Sequence, residues 1–310
     1  MKPKYNTLSN GERNQTMNMK RIISVLLVFA LLAGLGTHAA AVEVGEQRVV
    51  LGADLNAEQR AQVLNTFGLA PGHVPEMTVT IEQERAYLQG FVSDSVIGTR
   101  SISSIYIMTL PPGSGLDISV SNINWLTEEI YTNALVTAGI TDARVIITAP
   151  VPVSGTAALT GIYIAFEDIS GETLPEEAKL TAVEEAVVTG QIAEQLGDSE
   201  DIAALMNELK LILDEIRHMN DNEVRDEIRR LAIEFNIDLT ADQVEQILRL
   251  ARNLQNLDLG ALQGTIESIA RNWERLAGIG ETASGFFGSV AGFFSNIGSA
   301  IGNFFSRIFG

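Results

Sequence analysis

The chain has 310 residues, 46% of them hydrophobic and 19% charged, enough apolar material for one large domain or two ordinary ones and too much for general disorder. It contains no cysteine, which excludes disulfides, thiolate zinc sites and iron–sulfur clusters. The net charge is −18, and beyond residue 41 it is −22, from 16 basic against 38 acidic side chains. A surface that negative repels nucleic acid and anionic lipid headgroups alike.

The first 41 residues carry the three parts of an export signal in order. Lys20 and Arg21 supply the positive charge, and Ile22 to Leu35 form an apolar run shorter than the roughly 20 residues of a membrane span. Ala39 and Ala41 fit the small-x-small rule, which places the cut before Val42. The alternative is an uncleaved anchor. A start at Met17 or Met19 would leave a compact positive region.

Strands and helices then alternate. Arg48 to Leu51 is a short apolar run; Asn56 and Gln59 form a capping box for a helix whose face is Val63, Leu64 and Phe67, ending at Gly68. Met77 to Ile81 reads as a strand, followed by a short helix to Leu88. Ile102 to Ile107 is rich in β-branched and aromatic residues. After a Pro/Gly turn, Leu116, Ile118 and Val120 alternate with polar residues, so these two strands are expected to form a hairpin. Thr127 is expected to cap a helix that Gly139 stops, and Val145 to Thr148 is a buried strand broken by Pro150 and Pro152. A small-residue helix follows from about Thr156 to Ile169. Strand, helix, strand in that order needs a crossover, so part of the sheet should be parallel.

Beyond Gly171 the pattern is helical. Ser199 opens a helix through Ile216, Val224 to Phe235 form a second, and Thr240 with Gln243 opens a third. The capping sequence at Asp54 to Gln59 echoes that at Asp238 to Gln243, as good helix starts do. The expected fold class is α+β, rich in helix: a small mixed sheet with helices in the first half, an all-helical second half and an amphipathic C-terminal helix. The expected divisions are a signal at 1–41, an α/β part at 42–170, a helical part of the same domain at 171–277, and a tail at 278–310.

Signatures of catalysis are missing. His73 and His218 stand alone, without metal-ligand spacing, and no serine-nucleophile elbow or phosphate loop is present. The acidic stretches lack the glycine and spacing of a calcium loop. No catalytic residue, metal or cofactor is assigned from motifs. One place is chemically suggestive: Ser154, Gly155 and Thr156 follow a buried strand and open a helix, where free N–H groups and two hydroxyls could cradle an anion. Arg100, at a strand start, would add charge if the fold brings it near. The plainer reading is a tight strand-to-helix turn that needs Gly155 for its backbone.

In the tail no charged residue lies between Glu281 and Arg307. Phe287, Val290, Phe294, Ile297, Ile301, Phe304 and Ile308 recur at spacings of three and four, one apolar helical stripe. Five glycines weaken that helix in water, by about 0.8–1 kcal/mol each, so an apolar surface should be needed to form it. The partner expected is a membrane surface or an envelope protein; docking on the chain's own helical part and self-association are the alternatives.

The stretches IGTRSISSIY (97–106), NINWLTEEIYTNALVTAGI (122–140) and APVPVSGTAALTGIY (149–163) resemble the YpuA-like extracytoplasmic proteins of Gram-positive bacteria, family 1002 of the domains of unknown function. The resemblance runs from about Val44 to about Leu259. It implies export and supplies no catalytic residues. The leading expectation is therefore a non-enzymatic binding or interaction protein of the cell envelope, secreted or envelope-associated. An unrecognised enzyme centred on Arg100 and Ser154 to Thr156, or a self-assembling structural module, would be the alternatives. A pocket lined by those residues and holding a perturbed carboxylate would favour the enzyme.

Overall fold

A computed structural model describes residues 42–257; the signal at 1–41 and the stripe at 281–310 lie outside the described residues. The sheet has five strands, β1 (Gln47–Gly52), β2 (Glu76–Val79), β3 (Ser104–Thr109), β4 (Leu116–Ile123) and β5 (Ala143–Val153), in the order β2-β1-β3-β5-β4. β1 pairs with β2, and β4 with β5, in parallel; β3 is antiparallel to both its neighbours. The sheet is therefore mixed, and the expected crossover joins β4 to β5 through helix α4 (Glu128–Thr137).

The expected hairpin of β3 and β4 does not form. β5 lies between them: Thr109 at the end of β3 and Leu116 at the start of β4 both pair with Ala143. Residues 110–115 straddle the start of β5, held there by Leu110 N–H donating to Asp142 O at 3.0 Å and Gly115 N–H to Asp142 Oδ1 at 2.8 Å. Val145 and Ile147 explain the insertion. They are fully buried, and a strand that apolar is best satisfied in the middle of a sheet.

Pro150 and Pro152 do not break β5 either; it continues to Val153. The ladder to β3 ends at Thr148, and the ladder to β4 is bulged between Ser121 and Ile123, so a missing N–H is tolerated at both prolines. Asn122, at φ 55°, forms the bulge and donates its side-chain amide to Ala149 O.

Alternation divides the strands between two cores. Val50, Ile105, Ile107, Val145 and Ile147 face the larger one, with α5 (Thr156–Ser170) and α4. Val49 and Leu51 face a smaller one beneath α1 (Ala57–Thr66), with Val63, Leu64 and Phe67 as its contribution. Asn56 and Gln59 make the expected capping box of α1. A similar box, Thr80 with Gln83, opens α2 (Ile81–Leu88), so Ile81 begins a helix instead of ending a strand. A single turn, α3 (Asp94–Ile97), leads towards β3, which starts at Ser104, two residues later than expected.

After Val153 the described residues contain only helices and loops: α5, then α6 (Glu176–Leu196), α7 (Ser199–Leu211), α8 (Leu213–Ile216), α9 (Asp221–Glu234) and α10 (Ala241–Asn256). Thr240 and Gln243 cap α10 as expected, whereas Asp198 replaces Ser199 as the cap of α7. Thr127 occupies the cap position of α4 without making a capping bond. Helices α6 to α10 enclose the third core, built on Leu205, Leu209, Ile228 and Ile247.

One charged cluster ties this core to the sheet side. Lys210 of α7 and Glu185 of α6 are both fully buried, with Lys210 Nζ 2.7 Å from Glu185 Oε1. Lys210 also donates to Asn133 O at 3.2 Å and Thr137 Oγ1 at 3.3 Å on α4, and Thr137 donates to Glu185 Oε2. Burial pushes the Lys210 ammonium below its ordinary range, and Glu185 opposes that. Among the described residues no helix is long and apolar enough to cross a membrane.

Candidate functional site

Ser154 and Gly155 form the turn from β5 into α5. Gly155 adopts φ 98°, a left-handed conformation, and a Cβ there would lie 2.4 Å from the Tyr131 hydroxyl and 2.6 Å from Ile123 Cγ2. Both the backbone and the packing therefore require glycine. Tyr131, buried on α4, donates to Gly155 O at 2.7 Å and fixes the turn. Burial, with the Glu84 charge adding, pushes the Tyr131 phenol well above its usual range, so it stays a donor.

Gly155, in the cap position of α5, has no side chain to accept from the first turn. The N–H of Ala158 is taken by Ser103 Oγ at 2.9 Å and Gly155 O at 3.0 Å. The earlier N–H groups, of Thr156 and Ala157, open at the positive end of the helix dipole.

The turn lines a cavity of about 450 Å³, within the ordinary range for small-molecule sites. Arg100, Ser154, Gly155 and Thr156 all line it, so the structure brings the four expected residues together. Asp54 positions the arginine side: its backbone carbonyl accepts from Arg100 Nη2 at 2.9 Å, and its carboxylate from Ser101 N–H at 2.7 Å. The Arg100 side chain is exposed at the cavity rim. Arg85 steadies the loop below it, reaching Asp94 at 2.5 Å and Gly98 O at 2.7 Å.

The floor holds a residue that sequence reasoning missed. Glu84 of α2 is only 1% exposed, and its Oε1 accepts from Thr156 Oγ1 at 2.5 Å. The Thr156 hydroxyl stands 3.1 Å from Ser154 Oγ, giving a continuous line Ser154–Thr156–Glu84. Glu84 Oε2 is buried without a partner. Burial pushes this carboxyl up to about 7; the Thr156 hydrogen bond and nearby Arg85 pull the other way and do not prevail. The group that Thr156 holds is thus the protein's own carboxyl.

Trp125, Asn124 and Glu194 complete the walls. The Trp125 indole lies on α6 over Gly190, where a Cβ would be 3.1 Å away, and its Nε1 is buried without a partner. Trp125 had a weak signal, being one of two tryptophans in the chain and sitting in a loop; Glu84 had none, because an acid in the first turn of a helix is ordinary. His73 and His218 are exposed and do not line the cavity.

Residues 51–270 match the family described as "Protein of unknown function (DUF1002)". The chain belongs to the DUF1002 family. It is 38% identical over 218 residues to the uncharacterized protein YpuA of Bacillus subtilis (strain 168), covering 70% of this chain and 74% of that one. No solved structure matches. The DUF1002 match spans every cavity-lining residue, from Glu84 to Glu194.

Proposed function

We propose that this DUF1002 protein is an exported cell-envelope protein that binds a small, neutral, carbonyl-bearing ligand in the cavity at the start of α5. The observation that carries the reading is Glu84 Oε2, a buried and unpartnered carboxyl oxygen on the floor of a cavity whose opposite chemistry is donor-rich. Burying such an atom without a partner is costly, and the half-buried Ser154 hydroxyl, linked to Glu84 through Thr156, is where a ligand would meet that carboxyl's chain. The start of α5 and Arg100 offer donors, while the Ser154 hydroxyl and Glu194 can accept. An amide or ester-like group with both functions suits this pairing. A free anion would meet two carboxylates, and a cation would meet Arg100 and the helix dipole.

The test is a backbone-amide NMR titration of the full chain with N-acetylalanine methylamide and, separately, inorganic phosphate. The neutral amide should shift the resonances of Thr156, Ala157 and the Trp125 indole, and phosphate should not. Phosphate shifting these resonances at lower concentration would replace the reading with an anion site; scattered shifts from both would remove it.

The export reading rests on the Lys20/Arg21, apolar run and Ala39-x-Ala41 order, and the attachment reading on the apolar stripe of Phe287, Val290, Phe294, Ile297, Ile301, Phe304 and Ile308. Cell fractionation with N-terminal sequencing should find the protein outside the cytoplasm, beginning at Val42, and envelope-bound only when residues 281–310 are present. A cytoplasmic protein, or equal envelope binding without the tail, would count against these two readings respectively.

A further inference from the structure

We infer that Ser154, Thr156 and Glu84 form a proton relay that makes Ser154 a nucleophile toward esters bound in the cavity. The inference rests on the cavity being the ligand site, and adds chemistry to it. Three features make the case. The hydroxyls and the carboxyl stand in line, at 3.1 Å from Ser154 Oγ to Thr156 Oγ1 and 2.5 Å from there to Glu84 Oε1, within the reach general-base catalysis needs. Ser154 is the half-exposed end of that line and Glu84 the buried end, so the substrate meets the hydroxyl and the base is shielded from water. Thr156 and Ala157, the first two residues of α5, line the same cavity, and their N–H groups would stabilise developing negative charge on a carbonyl oxygen there.

The step balances without any group beyond an ester and water. Ser154 Oγ attacks the carbonyl carbon and forms an O–C bond; its proton passes to Thr156 Oγ1 as the threonine proton passes to Glu84 Oε1. When the tetrahedral intermediate collapses, the bond to the alcohol oxygen breaks and the relay returns the proton to that oxygen. Water then attacks the acyl-Ser154, gives its proton up through the same relay, and releases the acid and the free serine. A carboxyl that titrates near neutrality can serve as base in the first step and acid in the second.

The experiment incubates the full chain with p-nitrophenyl acetate and follows p-nitrophenol release, with peptide mass mapping of the acetylated residue. Ser154 should carry the acetyl group, and its acetylation rate should rise with pH to a plateau above about pH 7, the midpoint set by Glu84. Ser154→Ala should abolish labelling of this turn, while Glu84→Gln and Thr156→Val should slow it by about 100-fold or more. Thr156→Ser, which keeps a hydroxyl in the line, should restore most of the rate. Acetylation confined to surface lysines, with N-acetylalanine methylamide still shifting Thr156 and Ala157, would overturn the relay and leave the binding site standing. Loss of both signals in the folded wild-type chain would overturn the relay and the site together.

Discussion

Lys210→Met is expected to lower the unfolding free energy by about 3–5 kcal/mol, a large share of the roughly 5–15 kcal/mol typical of a domain. The methionine fills much of the lysine's volume, so the loss comes from Glu185, left fully buried with only the Thr137 hydroxyl to hold it. Two charges out of water gain little over a well-packed apolar pair; one charge out of water is the expensive case. Accordingly, the double change Lys210→Met with Glu185→Leu should recover most of the loss. Urea unfolding followed by far-ultraviolet circular dichroism measures both. A single mutant as stable as the wild type would show that the pair carries no such weight, and a double mutant no better than the single would assign the loss to packing.

The second large effect is at the turn. Gly155→Val should cost roughly 3–5 kcal/mol, combining the left-handed backbone penalty with the collision against Tyr131 and Ile123. Gly155→Ala should cost less, since it keeps the same Cβ contact but lacks valine's branching against the turn. Ser154→Ala, whose hydroxyl borders the cavity, should leave stability within about 0.5 kcal/mol of wild type. Denaturant midpoints of the three variants give the order. A valine variant with wild-type stability would mean that the turn relaxes freely, and the cavity with it.

What could be read from the sequence was local. Helix starts at Asn56 and Thr240 depend on a side chain reaching three residues along, so they were visible directly. The turn at Ser154 to Thr156 was visible for the same reason, as a glycine between a β-branched strand and a small-residue helix. What could not be read was set by distant partners. The insertion of β5 between β3 and β4 follows from the full burial of Val145 and Ile147 in the larger core, which neighbouring residues do not reveal. Helix α6 has buried residues round most of its circumference, from Lys179 to Ala193, so it shows no polar face and no stripe to announce it. Glu84 joins Thr156 across 72 positions of sequence, and only the packing of α2 beside α5 makes it part of the site.

The chemistry of the cavity turns on that carboxyl. Its raised range means that the folded chain holds a proton the unfolded chain releases between about pH 4.3 and 7. The stability contributed by protonated Glu84 is therefore complete below that window and is lost as pH rises through about 7, by up to about 3 kcal/mol relative to Glu84→Gln. The most direct measurement is the carboxyl carbon-13 titration of Glu84 in the full chain, assigned by the glutamine variant. A midpoint near 7 is the result expected; a midpoint near 4.3, the ordinary value of a solvated glutamate, would mean that Glu84 is neither buried nor poised, and would contradict the site.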